Sequence, residues 1–146
     1  FAQVQSWKSV EDGHIPDGLK ETNATLVCIK FSNADIKNLG LHPKFTSEIY
    51  NKFVVKYAEK YFTGKIKYIS MAEFIESKDE FDFVFLPMIY EPGRAEGIAP
   101  RTFCVVDVKN ETAYSRIDRT GSYITAGSMK SELLLEMKFL SKQRKE

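Results

Sequence analysis

The stretch that most constrains the fold of this chain is "FDFVFLPMIYEP", residues 81–92. From Phe83 to Tyr90 nearly every position is apolar, whereas a strand with one face in water alternates polar and apolar residues. The run therefore predicts a buried strand whose two faces are both covered, as in α/β proteins. Because Pro87 lacks the N–H that a sheet ladder uses, we expect the first half of this strand to be central in the sheet and its second half to project as an edge.

Two helices are predicted from their periodicity. In residues 44–62 one apolar stripe repeats every four positions and includes Phe53 and Tyr57, and an adjacent stripe consists of Tyr50, Val54, Ala58 and Phe62. The other face carries Lys52, Lys56, Glu59 and Lys60. This predicts an amphipathic helix of about five turns in which Phe53 and Tyr57 are largely buried, and which Gly64 closes. A second helix is predicted from a Ser128 N-cap to the end of the chain. Its shared apolar face consists of Met129, Leu133, Met137 and Leu140.

The remaining strands are short apolar or alternating runs. They are "TLVCIKF" (25–31), "KIKYIS" (65–70) and a hairpin made of "TFCVVDV" and "TAYSRID" with Asn110 at its tip. The order predicts an α/β fold with a mixed sheet of four to five strands, a long helix after the first strand and a C-terminal helix. A chain of 146 residues fits one domain, 1–146, in which residues 1–23 form an irregular N-terminal arm.

Charge and hydropathy limit the partners of this chain. Its 21 basic and 20 acidic residues nearly balance, so no global field attracts nucleic acid, and we expect no nucleic-acid partner. No apolar run approaches the roughly 20 residues of a transmembrane helix. The opening "FAQ" is typical of the end of a secretory signal peptide, which predicts a periplasmic or secreted protein. The alternative is that the sequence simply begins there.

The two cysteines leave two interpretations open. Cys28 and Cys104 both stand among apolar residues in predicted strands, and neither belongs to a metal-binding CxxC motif. We expect two buried free thiols. A disulfide is the alternative, because an exported protein reaches an oxidising compartment.

The sequence contains no recognisable catalytic or metal-binding set. Its histidines, His14 and His42, could join Asp12, Asp17 or Asp35 in a metal site, but the spacing matches no ligand motif. No nucleophile elbow and no phosphate loop is present. Acidic residues cluster before the 83–90 strand and on the hairpin, where we expect solvated turns. We therefore predict no enzyme, no metal and no cofactor.

Two short motifs carry a resemblance. "FDFVF" (81–85) and "VDVKNE" (106–111) resemble the strand entry and hairpin of a bacterial envelope α/β domain found in the N-terminal domain of TolB, in CsgG and in lipoprotein activators of penicillin-binding proteins. The resemblance covers about residues 24–120. It implies an α/β fold, an envelope location and a role in binding or assembly.

These observations lead to one function and one alternative. We expect a non-enzymatic, exported envelope module that binds a protein partner or assembles with itself. The alternative is a small ligand-binding domain or enzyme that holds an anionic group with the loop of Arg94 and Arg101. In both cases the predicted binding residues are Tyr90, Arg94 and Arg101, because the projecting end of a strand and a turn-rich loop are suited to recruiting a partner.

Overall fold

The computed structural model describes residues 8–10, 13–38, 46–88, 102–116 and 126–146. Its strands are β1 (Lys8–Val10), β2 (Thr25–Lys30), β3 (Lys65–Ser70), β4 (Phe83–Met88), β5 (Thr102–Asp107) and β6 (Thr112–Ser115). Its α-helices are α1 (Asn33–Asn38), α2 (Ser47–Tyr61), α3 (Met71–Ser77) and α4 (Ala126–Arg144). Two short 3-10 helices lie at Asp17–Lys20 and Lys78–Glu80.

The strands form one mixed sheet in the order β1-β6-β5-β4-β2-β3. Strand β2 pairs in parallel with β3 and β4, and the β5–β6 hairpin is antiparallel and joins the sheet at β4. The predicted α/β fold is confirmed, with its mixed sheet, long helix and C-terminal helix. All five predicted strands are present. The segment predicted to be an irregular arm adds a sixth, because β1 pairs with β6 over three residues, too few to show a strand pattern.

The helices cover the sheet in two layers. The connections β2–α2–β3 and β3–α3–β4 run in opposite directions along the sheet, so right-handed crossovers put α2 and α3 on opposite faces. Helix α4 packs beside α2. Tyr68 of β3 lies on the face of the sheet that α2 covers, because its hydroxyl donates to Glu59 of α2 at 2.9 Å.

The Pro87 expectation is confirmed by the pairing of β4. Strand β2 pairs with β4 through Phe83–Phe85, whereas β5 pairs with it as far as Met88. Among the described residues, the second half of β4 therefore has β5 as its one paired neighbour. The absent N–H of Pro87 falls in this half, where a ladder on both sides is not required.

The buried stripe of α2 differs from the predicted one. Tyr57 is buried as expected, but Phe53 is half-buried, and the deepest positions are Tyr50, Val54 and Ala58. The aromatic row and the row of Tyr50, Val54 and Ala58 both repeat every four residues and lie about 60° apart around the helix, and the second row faces the core. The aromatic row therefore leaves the core face.

The C-terminal helix places its predicted face in the core. Met129, Leu133, Met137 and Leu140 have no exposed surface. The helix begins at Ala126 and not behind Ser128, so the predicted N-cap residue lies inside the first turn. Alanine is the strongest helix former, which favours this earlier start.

Side chains hold two local turns, and a third turn differs from its predicted form. Ser70 caps α3, since its Oγ accepts the Glu73 N–H at 3.1 Å. The hairpin turn is held by Asp107, which accepts the Asn110 backbone N–H at 3.2 Å. Gly64 is not a left-handed helix cap. A Cβ there would lie 2.8 Å from the Ala24 carbonyl oxygen, so close backbone approach requires the glycine.

Arg144 joins the end of α4 to two other segments. Its Nη1 donates to the carbonyl oxygens of Leu19 and Glu21, its Nε donates to Thr63 Oγ1 at 3.2 Å, and its guanidinium lies 4.7 Å from the centre of the Phe62 ring. We expect Arg144→Ala to lower the free energy of unfolding by about 1–3 kcal/mol, since charged hydrogen bonds and a cation–π contact are lost together.

The measurement is urea denaturation followed by circular dichroism. Lys142→Ala is the matched control, because Lys142 is an exposed cation of the same helical turn. Equal losses in both variants would contradict a bridging role for Arg144.

Candidate functional site

The residues predicted as the binding site, Tyr90, Arg94 and Arg101, lie outside the described residues, as does His42. Asp12, another candidate metal ligand, also lies outside the described residues, and His14 is exposed. Asp17 starts a 3-10 helix, whereas Asp35 accepts the Ser32 N–H at 2.8 Å and so takes part in the start of α1. Within the described ranges, no three His, Cys, Asp or Glu side chains gather as a metal site would require.

The clearest surface feature is formed by α2 and α4 together. Five exposed lysines define what we call the basic surface. They are Lys52, Lys56 and Lys60 of α2, and Lys130 and Lys138 of α4. Between the two rows lies an aromatic ladder of α2. The ring centres of Phe53 and Tyr57 are 5.7 Å apart, and those of Tyr57 and Tyr61 are 6.2 Å apart.

The lysines cover these rings. The ammonium groups of Lys52, Lys56 and Lys130 lie 5.5, 5.9 and 5.4 Å from the centre of the Phe53 ring. At the other end of the ladder, Lys60 and Lys138 lie 5.4 and 5.6 Å from the Tyr61 ring. Cation–π attraction at such distances holds the lysine stems against the rings. The aromatic ladder thus fixes two rows of cations from different helices.

Three of the four acidic residues of these two helices have partners outside the lysine rows, whereas Glu48 of α2 is exposed one turn before Lys52. Glu59 accepts the hydroxyl of Tyr68 on the sheet side of α2. On α4, Glu132 and Glu136 lie 3.7 and 3.4 Å from nitrogens of Arg116. In the described part of the chain, none of the five lysines lies within 4.0 Å of a carboxylate oxygen. Among the described residues, the basic surface therefore carries five positive charges that form no ion pair.

This arrangement suits anions better than aromatic ligands. Tyr57 is only 5% exposed and lysines cover the Phe53 ring, so the ladder offers no free face for stacking a base or a sugar. Each ammonium carries three donors that can turn outward. Along α2 the lysines repeat every four residues, a rise of about 6 Å, which places them in a row along the surface. The surface can bind several negative groups at once.

A second charged cluster is buried on the opposite flank of α4. The side chain of Glu136 is 3% exposed, and its Oε2 lies 3.4 Å from Arg116 Nε, longer than a strong charge-assisted hydrogen bond. Burial raises the pKa of Glu136 to about 8, although the positive charge of Arg116 opposes this shift. Desolvation prevails because one long contact replaces a full shell of water.

The cysteines are free and buried, as expected. Cys28 pairs with Phe85 and Cys104 with Leu86, so the two thiols lie on opposite faces of the sheet with β4 between them. This arrangement excludes a disulfide between them. Burial raises the pKa of both thiols, which keeps them protonated and unreactive.

The predicted acidic turns serve local structure. Asp82 forms an exposed ion pair with Lys109 at 3.2 Å, and Asp107 accepts from Asn110 in the hairpin turn. These contacts give both carboxylates a structural role in holding the hairpin against the start of β4.

The sequence contains a signal for the basic surface that the periodicity argument missed. In "KFVVKYAEKY", residues 52–61, a lysine stands directly before each aromatic residue of the ladder. The lysines were assigned to a separate solvated face, but the aromatic row lies to one side of the core face, which brings rings and lysines together. The contribution of Lys130 and Lys138 depends on α4 packing beside α2, which no local pattern indicates.

Comparisons with known proteins identify no family. No family model matches the chain, and no curated protein matches it. Among solved structures, a dodecamer of a PelC variant from Paraburkholderia phytofirmans is similar over 82% of this chain and 89% of that chain, with 8% sequence identity and a TM-score of 0.43. Among the described helices, none is both long and apolar enough to cross a membrane.

Proposed function

We propose that this protein is a non-enzymatic envelope module that binds an anionic partner through the basic surface. The observation that carries the proposal is the convergence of five lysines from two helices on one aromatic ladder, while three of the four acids of those helices have other partners. Such a concentration of one charge in a nearly neutral chain favours association with negative groups.

Two further features support binding as opposed to catalysis. The thiols of Cys28 and Cys104 are held protonated by burial, so neither is poised as a nucleophile. Glu136, the carboxyl group with the largest rise in pKa, is enclosed beside Arg116 and has no surface for a substrate. The envelope location rests on the resemblance of "FDFVF" and "VDVKNE" to envelope domains.

The partner classes expected from the sequence, a protein or a second copy of the chain, both remain compatible with this proposal. An acidic protein surface would complement the five lysines. The alternative, a ligand held by Arg94 and Arg101, has no support within the described residues.

The test uses defined polyanions and two matched double variants. Fluorescence anisotropy would measure binding of labelled polyglutamate and polyphosphate to the wild type and to Lys56→Glu/Lys130→Glu. We expect the affinity to fall at least about tenfold in this variant, and wild-type binding to weaken steeply as salt is added.

The control is Lys65→Glu/Lys67→Glu, which makes the same charge change on β3. Because neighbouring residues of a strand point to opposite faces and Tyr68 faces α2, these two lysines face away from the basic surface. The proposal is wrong if the control weakens binding as much, or if the wild type binds neither polyanion at low salt.

A further inference from the structure

One exposed apolar side chain accompanies the basic surface. Leu135 of α4 is 47% exposed and stands three residues before Lys138, so the two are neighbours on the helix surface. The buried face of α4 packs toward the sheet and consists of Met129, Leu133, Met137 and Leu140. Leu135 therefore lies on the outward side of the helix layer, beside cations.

The type of basic residue on this surface indicates which class of anionic partner it binds. All five residues of the basic surface are lysines, and none is an arginine. Specific protein interfaces are enriched in arginine and depleted in lysine, because the guanidinium fork binds a carboxylate in a fixed geometry. A lysine ammonium is a hydrated point charge without such geometric demand. Lysines are therefore suited to an anionic surface whose charged groups diffuse laterally, as lipid headgroups do.

We propose that the basic surface docks on a membrane that contains anionic lipids, with Leu135 entering the headgroup region. This inference rests on the proposed function, since it names the anionic partner as lipid phosphate. The two helices α2 and α4 lie side by side, so their outward faces present both lysine rows to one plane. Glu132 and Glu136, which a negative membrane would repel, lie beside Arg116, and Glu59 accepts from Tyr68. Glu48 of α2 is exposed, so the five lysines outnumber the acids that the two helices leave without a partner among the described residues.

The expected strength follows from the number of lysines. A lysine near an anionic bilayer contributes about 1 kcal/mol, which is about fivefold in partitioning. Replacing two of the five should thus lower partitioning roughly twenty-five-fold. One exposed leucine adds a smaller apolar contribution, so Leu135→Ala should lower it a further few-fold.

The experiment is co-sedimentation with vesicles of phosphatidylcholine, with and without phosphatidylglycerol. We expect binding only when phosphatidylglycerol is present. Binding should fall about twenty-five-fold in Lys56→Gln/Lys130→Gln and less than about twofold in the control Lys65→Gln/Lys67→Gln. Inorganic phosphate should displace the protein from vesicles no better than chloride does at the same ionic strength. A single small anion cannot replace the many charges that the lysines contact on a bilayer.

The outcomes separate this inference from the proposed function. Binding of polyglutamate without binding of phosphatidylglycerol vesicles would overturn the membrane proposal and leave the anionic-partner proposal standing, with an acidic protein as the partner. Binding of neither would overturn both. Equal loss in the two double variants would show that vesicles attract the chain by another surface, and the inference would be wrong.

Discussion

Replacing Phe85 with alanine is expected to lower the free energy of unfolding by about 3–5 kcal/mol. Phe85 is in the centre of the sheet and has no exposed surface. Its ring stacks on Phe103 at 5.6 Å, and its paired neighbours are Cys28 and Val105. The neighbouring strands β2 and β5 are held by hydrogen bonds to β4, so the cavity that alanine leaves cannot collapse. Urea denaturation followed by circular dichroism would measure the loss.

Phe53→Ala is the matched comparison, because it removes the same side chain from a half-buried position. The sequence analysis predicted that Phe53 is buried, and a buried Phe53 would lose as much unfolding free energy as Phe85 when replaced by alanine. The structure places lysine stems over its ring, so we expect a clearly smaller loss than at Phe85. Equal losses at the two positions would contradict the observed orientation of α2.

Glu136→Gln is expected to stabilise the protein at alkaline pH and to remove much of its pH dependence. In the folded state the pKa of Glu136 is about 8, above its ordinary value of 4.5. Between these values the folded chain binds a proton that the unfolded chain has released. Stability therefore falls as pH rises through this window and becomes level above about pH 8, with an amplitude on the order of 3–5 kcal/mol. Glutamine cannot ionise, so this loss should disappear.

The measurement is the free energy of unfolding at a series of pH values for the wild type and the variant. The charged and ionisable groups near Glu136 are Arg116, Glu132 and Cys104, and all three are unchanged in the variant. Glu76→Gln on α3 is the control for the loss of one carboxylate from an exposed position. If wild type and Glu136→Gln lose stability in parallel between about pH 5 and pH 8, Glu136 is ionised in the folded state and the prediction is wrong.

Much of the architecture was predictable because it depends on local patterns. The nearly unbroken apolar run at 83–90 indicated a strand that is covered on both faces, and Pro87 indicated the half of β4 in which pairing with β2 has ended. The apolar face of α4 was read correctly from Met129 to Leu140, since burial of that face follows the helical period itself. The strand β1 was missed because three residues carry too little pattern to distinguish a strand.

The candidate site was less predictable, because its parts are distant in the sequence. The binding residues chosen from the sequence, Tyr90, Arg94 and Arg101, stay a prediction outside the described residues. Lys52 and Lys56 could be seen beside aromatic residues in the sequence, but not Lys130, which lies over the same Phe53 ring from another helix.

The sequence by itself determined the fold class and the alternation of strands and helices, because both follow from hydrophobic period and neighbouring residues. Only the tertiary structure decided that the two cysteines lie on opposite faces of the sheet, which stripe of α2 enters the core and which charges meet. Helix α2 has two apolar rows about 60° apart, and its packing against the sheet and α4 decides which of them enters the core. Packing likewise encloses Glu136 with Arg116, twenty residues apart in the chain, and thereby sets the pKa of the carboxyl group.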